Sequence, residues 1–501
     1  MEHSLNSIKR LNSVMIHEFI HMSATDISRL ISSKQVSVYE VVSTHIEQAS
    51  RINNKLNAII VPHYELALMK AREFDKTKTI DPTKRPFFGV PFTVKESISV
   101  QGLPNTYGSY YRRTDIAANT ATSVQRLLNA GAIIIGQTNL SELALWPECT
   151  NILYGKTSNP HNTKYTSGGS SGGDAAIVGA GGVPFALGTD GGGSIRIPAA
   201  HCGVFGHKPS SRFVPMSGHF PLDKYYSYCS SAQFIARYFS MGLLCRKAED
   251  LLPLLKVISG PDKNDLNVNS SFEHYQIPNS IKGLKVYLLE DKFHPLLKLT
   301  APEITQSLRH VAFELEKEGA EIIPCNLPFL GEACELWFDI MSTAKDITLG
   351  SLVNGNRSIV MEAMRMMSGR KRIMQSSLLL LLVEKLLSKN KKSYNQFWAV
   401  KNRLTVKMNS YLNKKSILLL PTFPTTAIKH NRSYISPFDF LYTAVFNVLE
   451  LPATSVPISF SNNNLPISIQ IVGAHGFDHI PISIACYLEK LFGGWTLPSY
   501  I

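Results

Sequence analysis

Serines in a glycine-rich segment near the middle of the chain could supply a catalytic nucleophile. Segment 166–199 reads TSGGSSGGDAAIVGAGGVPFALGTDGGGSIRIPA. Ser170 and Ser171 lie between two pairs of glycines, and Ser194 follows three consecutive glycines. Successive glycines allow backbone N–H groups to point into one space, where they can hold the oxyanion of a tetrahedral intermediate. This spacing favours nucleophilic catalysis by the serine that ends the loop.

A serine nucleophile needs a base, and the sequence offers two candidates. His201 lies about one helical turn beyond Pro198, just after the glycine-rich segment. Lys95 ends the apolar run FFGVPFTVK at 87–95, which is typical of a buried strand. Burial disfavours the charged form of a lysine, so its pKa falls and the neutral amine can accept a proton. Both residues stay open as the base on these grounds.

Two other serine and glycine motifs fit the segment poorly. A phosphate-binding P-loop would need Gly-Lys followed by Ser or Thr at the end of a glycine run, and no lysine stands there. The string GGSSG at 168–172 matches the GxSxG nucleophile elbow, but that elbow should follow a strand. The polar residues NPHNTKYT precede it instead, and the second serine loop would be left unexplained. We therefore favour an arrangement that uses both serine loops.

The segment 17–21 reads HEFIH and formally matches the HExxH motif of zinc proteases. It lies ahead of any predicted element, and no third ligand is identifiable downstream. We therefore expect no metal site, and nothing else in the sequence indicates a cofactor.

Predicted strands and helices alternate along the chain, as in an α/β fold. Buried strands are predicted at the run that ends with Lys95, at 132–139 and at 285–289. Predicted helices cover 122–130, 247–258, 305–319 and 480–491. No Ser/Gly-rich linker interrupts the alternation, so one large domain is expected.

The composition excludes several classes of protein. The chain has 501 residues, of which 44% are hydrophobic and 18% charged, and these fractions exclude a mainly disordered chain. The seven cysteines are odd in number and form no CxxC pair, which argues against a disulfide framework or a zinc ribbon. A reduced intracellular setting is expected.

The formal net charge of +13 is concentrated in one window. Segment 365–415 contains thirteen Lys or Arg and one acid, Glu384, and includes the apolar run 378–383. A Leu-rich helix with a basic flank is typical of a segment that lies on a membrane surface. A buried helix with a solvated basic edge has the same composition. Nucleic-acid binding is not expected, because no aromatic residues alternate with the basic ones.

The sequence shows no secretory core at its start and no apolar span of about 18 residues. We expect a cytoplasmic protein, either free or peripherally bound to a membrane. The predicted organisation is a poorly ordered N-terminal extension at 1–22 and one domain at 23–501. Within that domain, 365–393 is predicted to be a Leu-rich basic helical insertion and is a candidate membrane-facing cap.

Taken together, the motifs resemble the amidase signature family. They are Lys95 in GVPFTVKE, the GGSSGG run and GTDGGGSIRIPA. The segments FGHKPS at 205–210, 245–261 and 478–498 extend the resemblance to the fatty-acid amide hydrolases of that family, from about residue 23 to the C-terminus. The resemblance implies an α/β/α domain with a central mixed sheet covered by helices.

The resemblance also implies a mechanism. The family uses a lysine, a serine held by a cis peptide bond and a nucleophilic serine, and these roles correspond to Lys95, Ser170 and Ser194. The implied oxyanion and substrate-binding groups are Gly191, Gly192, Gly193, Ser194 and, in an auxiliary role, Ser171. The position of Gly191 is often aliphatic in the family, so a third consecutive glycine is expected to loosen this loop slightly.

The implied activity is hydrolysis of fatty-acid amides to free fatty acid and amine through an acyl-enzyme, with a lipid amide as the small-molecule partner. Two alternatives stay open. One is a glutamine-type or short-chain amidase of the same family, and the other is a non-catalytic lipid-binding scaffold. The resemblance is also compatible with a homodimer.

Overall fold

The computed structural model describes residues 18–223, 229–270, 272, 280–343, 347–353, 355, 357–387 and 394–499. The strands in these ranges are β1 (Ile59–Pro62), β2 (Pro91–Lys95), β3 (Ile133–Thr138), β4 (Thr150–Asn151), β5 (Gly155–Lys156), β6 (Phe185–Asp190), β7 (Phe205–Lys208), β8 (Ser240–Cys245), β9 (Lys285–Leu288), β10 (Glu321–Pro324), β11 (Ser416–Pro421), β12 (Ala453–Phe460) and β13 (Pro466–Val472).

The α-helices of the described residues are α1 (Ala24–Ser32), α2 (Val38–Leu56), α3 (Tyr64–Asp75), α4 (Thr122–Asn129), α5 (Gly172–Gly179), α6 (Arg196–Cys202), α7 (Ser230–Ala236), α8 (Leu251–Ile258), α9 (Pro302–Lys317), α10 (Leu330–Thr343), α11 (Leu349–Val353), α12 (Ile359–Met367), α13 (Gln375–Leu387), α14 (Tyr394–Asn409), α15 (Leu441–Val448) and α16 (His479–Phe492). Short 3-10 turns lie at Tyr110–Arg112, Glu142–Ala144, Ala248–Asp250 and Ser433–Ile435.

Within the described residues, eleven strands form one mixed sheet in the order β1-β3-β2-β6-β8-β7-β12-β13-β11-β9-β10. The β3-β2-β6 part is parallel, and β6 to β11 are joined by antiparallel pairs. Helices flank this sheet, so the predicted α/β class with a central mixed sheet is confirmed.

Strand β11 shows that both faces of the sheet are covered. Ile417 and Leu419 belong to one hydrophobic core, whereas Leu418 and Leu420 belong to another. All four side chains are fully buried. Because successive side chains of a strand point to opposite faces, the two cores lie on opposite sides of the sheet.

Local sequence patterns locate several elements well. The predicted helix 122–130 corresponds to α4, and the predicted strand 132–139 corresponds to β3. The predicted helix 247–258 begins with the 3-10 turn Ala248–Asp250 before α8. Short-range patterning is informative here because these segments present an apolar face at the helix or strand period.

Lys95 and the glycine-rich loop lie where two neighbouring parallel strands, β2 and β6, end. Strand β2 ends at Lys95, and β6 ends at Asp190, four residues before Ser194. Phe92 pairs with Phe185 in the parallel register of these strands. Parallel strands end at the same edge of a sheet, so the lysine and the glycine-rich loop are brought to one place.

Two features bear on the predicted domain boundaries. Phe19 and Ile20, which belong to the predicted extension 1–22, are buried in the core, and residues 1–17 lie outside the described residues. The segment 365–393 comprises the end of α12 and the whole of α13, separated by a turn, and its last residues, 388–393, also lie outside the description.

Among the described residues, no helix combines the length and apolar character needed to cross a bilayer. The same part of the chain holds no group of three or more His, Cys, Asp or Glu side chains placed to ligate a metal ion. His17 of the HEFIH motif lies outside the described residues.

Candidate active site

Lys95 is fully buried and contacts two hydroxyl groups. Its Nζ donates to Ser170 Oγ at 2.7 Å and to Thr189 Oγ1 at 2.8 Å. Burial lowers the pKa of Lys95 to about 8, although the carboxylates of Asp174 and Asp190 act to raise it. A lysine whose pKa is brought this close to neutrality can serve as a general base.

Ser170 lies just before α5 and follows a glycine whose surroundings leave no space for a side chain. The peptide bond between Gly169 and Ser170 is cis. A Cβ on Gly169 would lie 2.5 Å from the carbonyl oxygen of Trp146, so only glycine fits at this position. The glycine pair thus brings the serine hydroxyl against the lysine.

Ser194 lies on the loop after β6 and is partly exposed. The N–H of Ser171 donates to the carbonyl oxygen of Ser194 at 3.0 Å, so the two serine loops are joined directly. The Ser171 hydroxyl donates to the Thr189 carbonyl and accepts from the Thr189 N–H, both at 3.3 Å. The structure therefore brings all three serines and Lys95 into one contiguous unit.

Asp190 and Arg196 form a buried ion pair that supports the loop that carries Ser194. Arg196 donates through Nε and Nη2 to the two carboxylate oxygens, each at 3.0 Å, and both side chains are fully buried. Burial acts to raise the pKa of Asp190, but the guanidinium holds it well below its usual range. The carboxylate also accepts from Ile195 N–H at 3.2 Å. This pair ties the start of α6 to the end of β6.

Two of the groups expected to bind the oxyanion are used within the protein. The Gly193 N–H donates to Asp190 Oδ1 at 2.7 Å, and the Ser171 N–H donates to Ser194, as described above. Both N–H groups therefore stabilise the loops. For Gly193 this differs from the expected role as an oxyanion donor, whereas Ser171 was expected to have only an auxiliary role. The N–H groups of Gly191, Gly192 and Ser194 are left as the candidate oxyanion donors.

Two of the three carbonyl groups of the triple glycine are contacted by residues that sequence reasoning missed. Trp337 Nε1 donates to the Gly191 carbonyl at 2.9 Å. The Thr443 hydroxyl lies 2.8 Å from the Gly192 carbonyl and 2.6 Å from the Phe440 carbonyl, so its single proton is shared between these two acceptors. The Phe239 ring packs closely against Gly191, because a Cβ on Gly191 would lie 2.4 Å from that ring. The ring thus fills the space that an aliphatic side chain at 191 would need.

Sequence reasoning also missed the buried carboxylate of Asp174. It is fully buried in the first turn of α5, and its Oδ1 accepts from Thr138 Oγ1 at 2.5 Å. Burial raises the pKa of Asp174 to about 7, and the charge of Lys95 acts against that rise. An acidic residue directly after GGSSGG, in a fully buried segment, was the available signal.

The ring of the rival base His201 makes no hydrogen bond to the serines of the described residues. Burial lowers its pKa to about 4, and its ring packs edge-on against Phe423 with centroids 5.2 Å apart. Within the described residues neither ring nitrogen has a hydrogen-bond partner. The geometry favours Lys95 over His201 as the base.

Comparisons with known proteins show what this chain is similar to. The family model described as Amidase matches residues 40–480. Fatty-acid amide hydrolase 2-B of Danio rerio is 35% identical over 496 residues, covering 96% of this chain and 91% of the relative. Fatty-acid amide hydrolase 2 of Homo sapiens is 34% identical, covering 95% and 90%. A solved structure of a fatty acid amide hydrolase shares the fold, with a TM-score of 0.79 at 21% identity over 96% of this chain and 86% of that one.

Proposed function

The chain belongs to the amidase family and is a hydrolase of amide bonds, and on that premise we propose that it releases fatty acids from fatty-acid amides through Lys95, Ser170 and Ser194. The observation that carries the proposal is the 2.7 Å contact between Lys95 Nζ and Ser170 Oγ inside a fully buried site. It supports a base that acts on Ser170, and the proton transfer from Ser194 to Ser170 is part of the proposal.

The proposed reaction has two stages. Neutral Lys95 accepts the proton of Ser170, which accepts the proton of Ser194 as that hydroxyl attacks the amide carbonyl. The relay returns the proton to the departing amine, and water then hydrolyses the acyl-enzyme. Backbone N–H groups of the glycine loop stabilise the oxyanion of each tetrahedral intermediate.

The surroundings of the nucleophile loop support an apolar acyl group. Trp337 packs on Phe440 with ring centroids 4.8 Å apart and on Phe338 at 5.4 Å. Phe239 packs edge-on against Phe220 at 6.2 Å. Aromatic side chains next to the loop favour burial of a hydrocarbon chain over a small polar substrate such as glutamine.

We expect the enzyme to release free fatty acid from a long-chain primary amide faster than it releases ammonia from acetamide or glutamine. The physical reason is that each methylene removed from water adds about 0.8 kcal/mol of binding free energy. The measurement compares kcat/KM for the three amides. Efficient hydrolysis of glutamine or acetamide with no fatty acid release would instead support the glutamine-type or short-chain alternative.

We also propose that α12 and α13 contact a membrane peripherally. Both helices expose apolar side chains, namely Val360, Met361, Met364, Met367, Leu379 and Leu382. Arg370 and Lys371 are exposed in the turn between the two helices. Apolar side chains next to exposed cations fit an anionic lipid surface.

Leu379→Glu is expected to reduce sedimentation with vesicles that contain phosphatidylserine by roughly ten-fold, because it removes an apolar contact and adds a repelled charge. Leu266→Glu is the matched control, since Leu266 is also exposed, at 79%, but lies outside these helices. Equal vesicle binding by wild type and both variants would contradict the membrane proposal.

A further inference from the structure

We infer that Trp337 is a positioning residue that orients the oxyanion donors of the glycine loop, an inference that rests on the proposed function. Trp337 lies on α10, 146 residues away from Gly191, and its indole N–H donates to the Gly191 carbonyl at 2.9 Å. It is a positioning residue because it acts through the peptide that it holds.

The direction of this hydrogen bond determines where a donor points. In a planar trans peptide the carbonyl and the following N–H point in opposite directions. When Trp337 holds the carbonyl of Gly191, the N–H of Gly192 is therefore directed to the other side of the peptide. That N–H is one of the three that remain as candidate oxyanion donors.

The neighbouring peptide is held at both of its ends. The Thr443 hydroxyl shares its proton between the Gly192 and Phe440 carbonyls, and Asp190 accepts from the N–H of Gly193. The peptide between Gly191 and Gly192 has its carbonyl fixed by Trp337. Consecutive glycines have unusual backbone freedom, so rotation of this peptide would turn the Gly192 N–H away from the site unless the carbonyl is held.

The indole is itself well supported. Its ring packs at 66° against Phe440, and a Cβ on Gly192 would lie 3.3 Å from Trp337 Nε1 and 3.5 Å from Phe440 Cδ2. The two rings therefore lie directly on the loop. Electrostatic stabilisation of an oxyanion depends on donors that are oriented before the reaction, and this packing provides that orientation.

Trp337→Phe retains an aromatic ring and removes the N–H. We expect kcat for amide hydrolysis to fall roughly ten- to hundred-fold, with KM changed less than about three-fold. The affinity for a long-chain trifluoromethyl ketone, which forms an oxyanion on the nucleophile, should fall in the same proportion as kcat/KM. The rate at which a fluorophosphonate labels Ser194 should also fall, since its phosphoryl oxygen uses the same donors.

Trp495→Phe is the matched control. Trp495 Nε1 donates to the Gly179 carbonyl at 2.8 Å, in a buried position outside the glycine loop. This variant also loses an indole-to-glycine hydrogen bond, and we expect it to lower thermal stability while leaving kcat and labelling unchanged. Trp337→His, which retains a ring N–H, is expected to recover part of the lost rate.

Three results would overturn the inference. They are an unchanged kcat and labelling rate in Trp337→Phe, an equal loss in Trp495→Phe, and a loss that appears only in KM. If wild type hydrolyses none of the amides, the proposed function fails, and the labelling rates of the two variants still decide the role of Trp337.

Discussion

Ser194→Ala is expected to lower amide hydrolysis by roughly 10⁵-fold or more, because the residue removed is the proposed nucleophile and no acyl-enzyme can form without it. Fluorophosphonate labelling should disappear as well. The two assays, run on wild type and variant at equal concentration, measure the loss. Folding should be retained, since Ser194 is partly exposed and contributes its backbone carbonyl to the contact with Ser171.

Ser171→Ala is the matched control for that prediction. It removes a neighbouring hydroxyl but keeps the N–H that joins the two serine loops. A smaller loss with labelling retained is expected. Labelling of Ser194→Ala at the wild-type rate would show that another residue is the nucleophile and would contradict the proposed mechanism.

Lys95→Ala should lower kcat/KM by roughly 10²- to 10⁴-fold, since a positioned general base contributes a factor of this size. The loss should persist at pH 9, where hydroxide is more abundant. Retention of wild-type amidase activity at pH 9 would mean that Lys95 is not the base. Hydrolysis of the long-chain primary amide across a pH series is the measurement.

The pH dependence of the wild-type enzyme provides a second test of the same residue. Lys95 accepts a proton only when its amine is neutral, and burial lowers its pKa to about 8. The kcat/KM value should therefore rise as the pH increases through about 8 and level off above it. The rise should be absent from the residual activity of Lys95→Ala.

Lys208→Met is the matched control for the pH profile. Lys208 is another fully buried lysine, and burial lowers its pKa to about 7. Its Nζ donates to the Pro209 carbonyl at 2.7 Å. We expect this variant to change stability and to keep the rise near pH 8. If Lys208→Met lost the rise near pH 8 and Lys95→Ala kept it, the rise would belong to Lys208, and its assignment to Lys95 would be wrong.

The sequence by itself pointed to the groups that we propose as the reacting ones, although the residues alone left Lys95 and His201 both open as the base. Lys95 at the end of an apolar run, and two serine loops within a dense stretch of glycines, are local patterns whose meaning does not depend on distant residues. The same holds for α4 and β3, whose apolar periodicity is readable within a few residues. The family resemblance rested on these short motifs and was confirmed by the comparisons.

Only the tertiary structure decided how the loop around Ser194 is held. The sequence treated the N–H groups of 191–194 as equivalent, but Gly193 donates to Asp190, and Trp337 holds the carbonyl of Gly191. A glycine run specifies freedom of rotation and not the direction in which each peptide points. That direction depends on α10 and α15, which are distant from the loop in sequence and contact it only through the tertiary fold.

The Leu-rich segment is a second case in which the sequence predicted the element and the tertiary structure decided which side chains are exposed. Its composition predicted a helix, yet Leu381 is 2% exposed and Leu379 is 40% exposed on that helix. A run of consecutive leucines presents an apolar surface all round, so its sequence does not specify which side is buried. Packing against the rest of the chain makes that choice, and it leaves the exposed side chains that the membrane proposal uses.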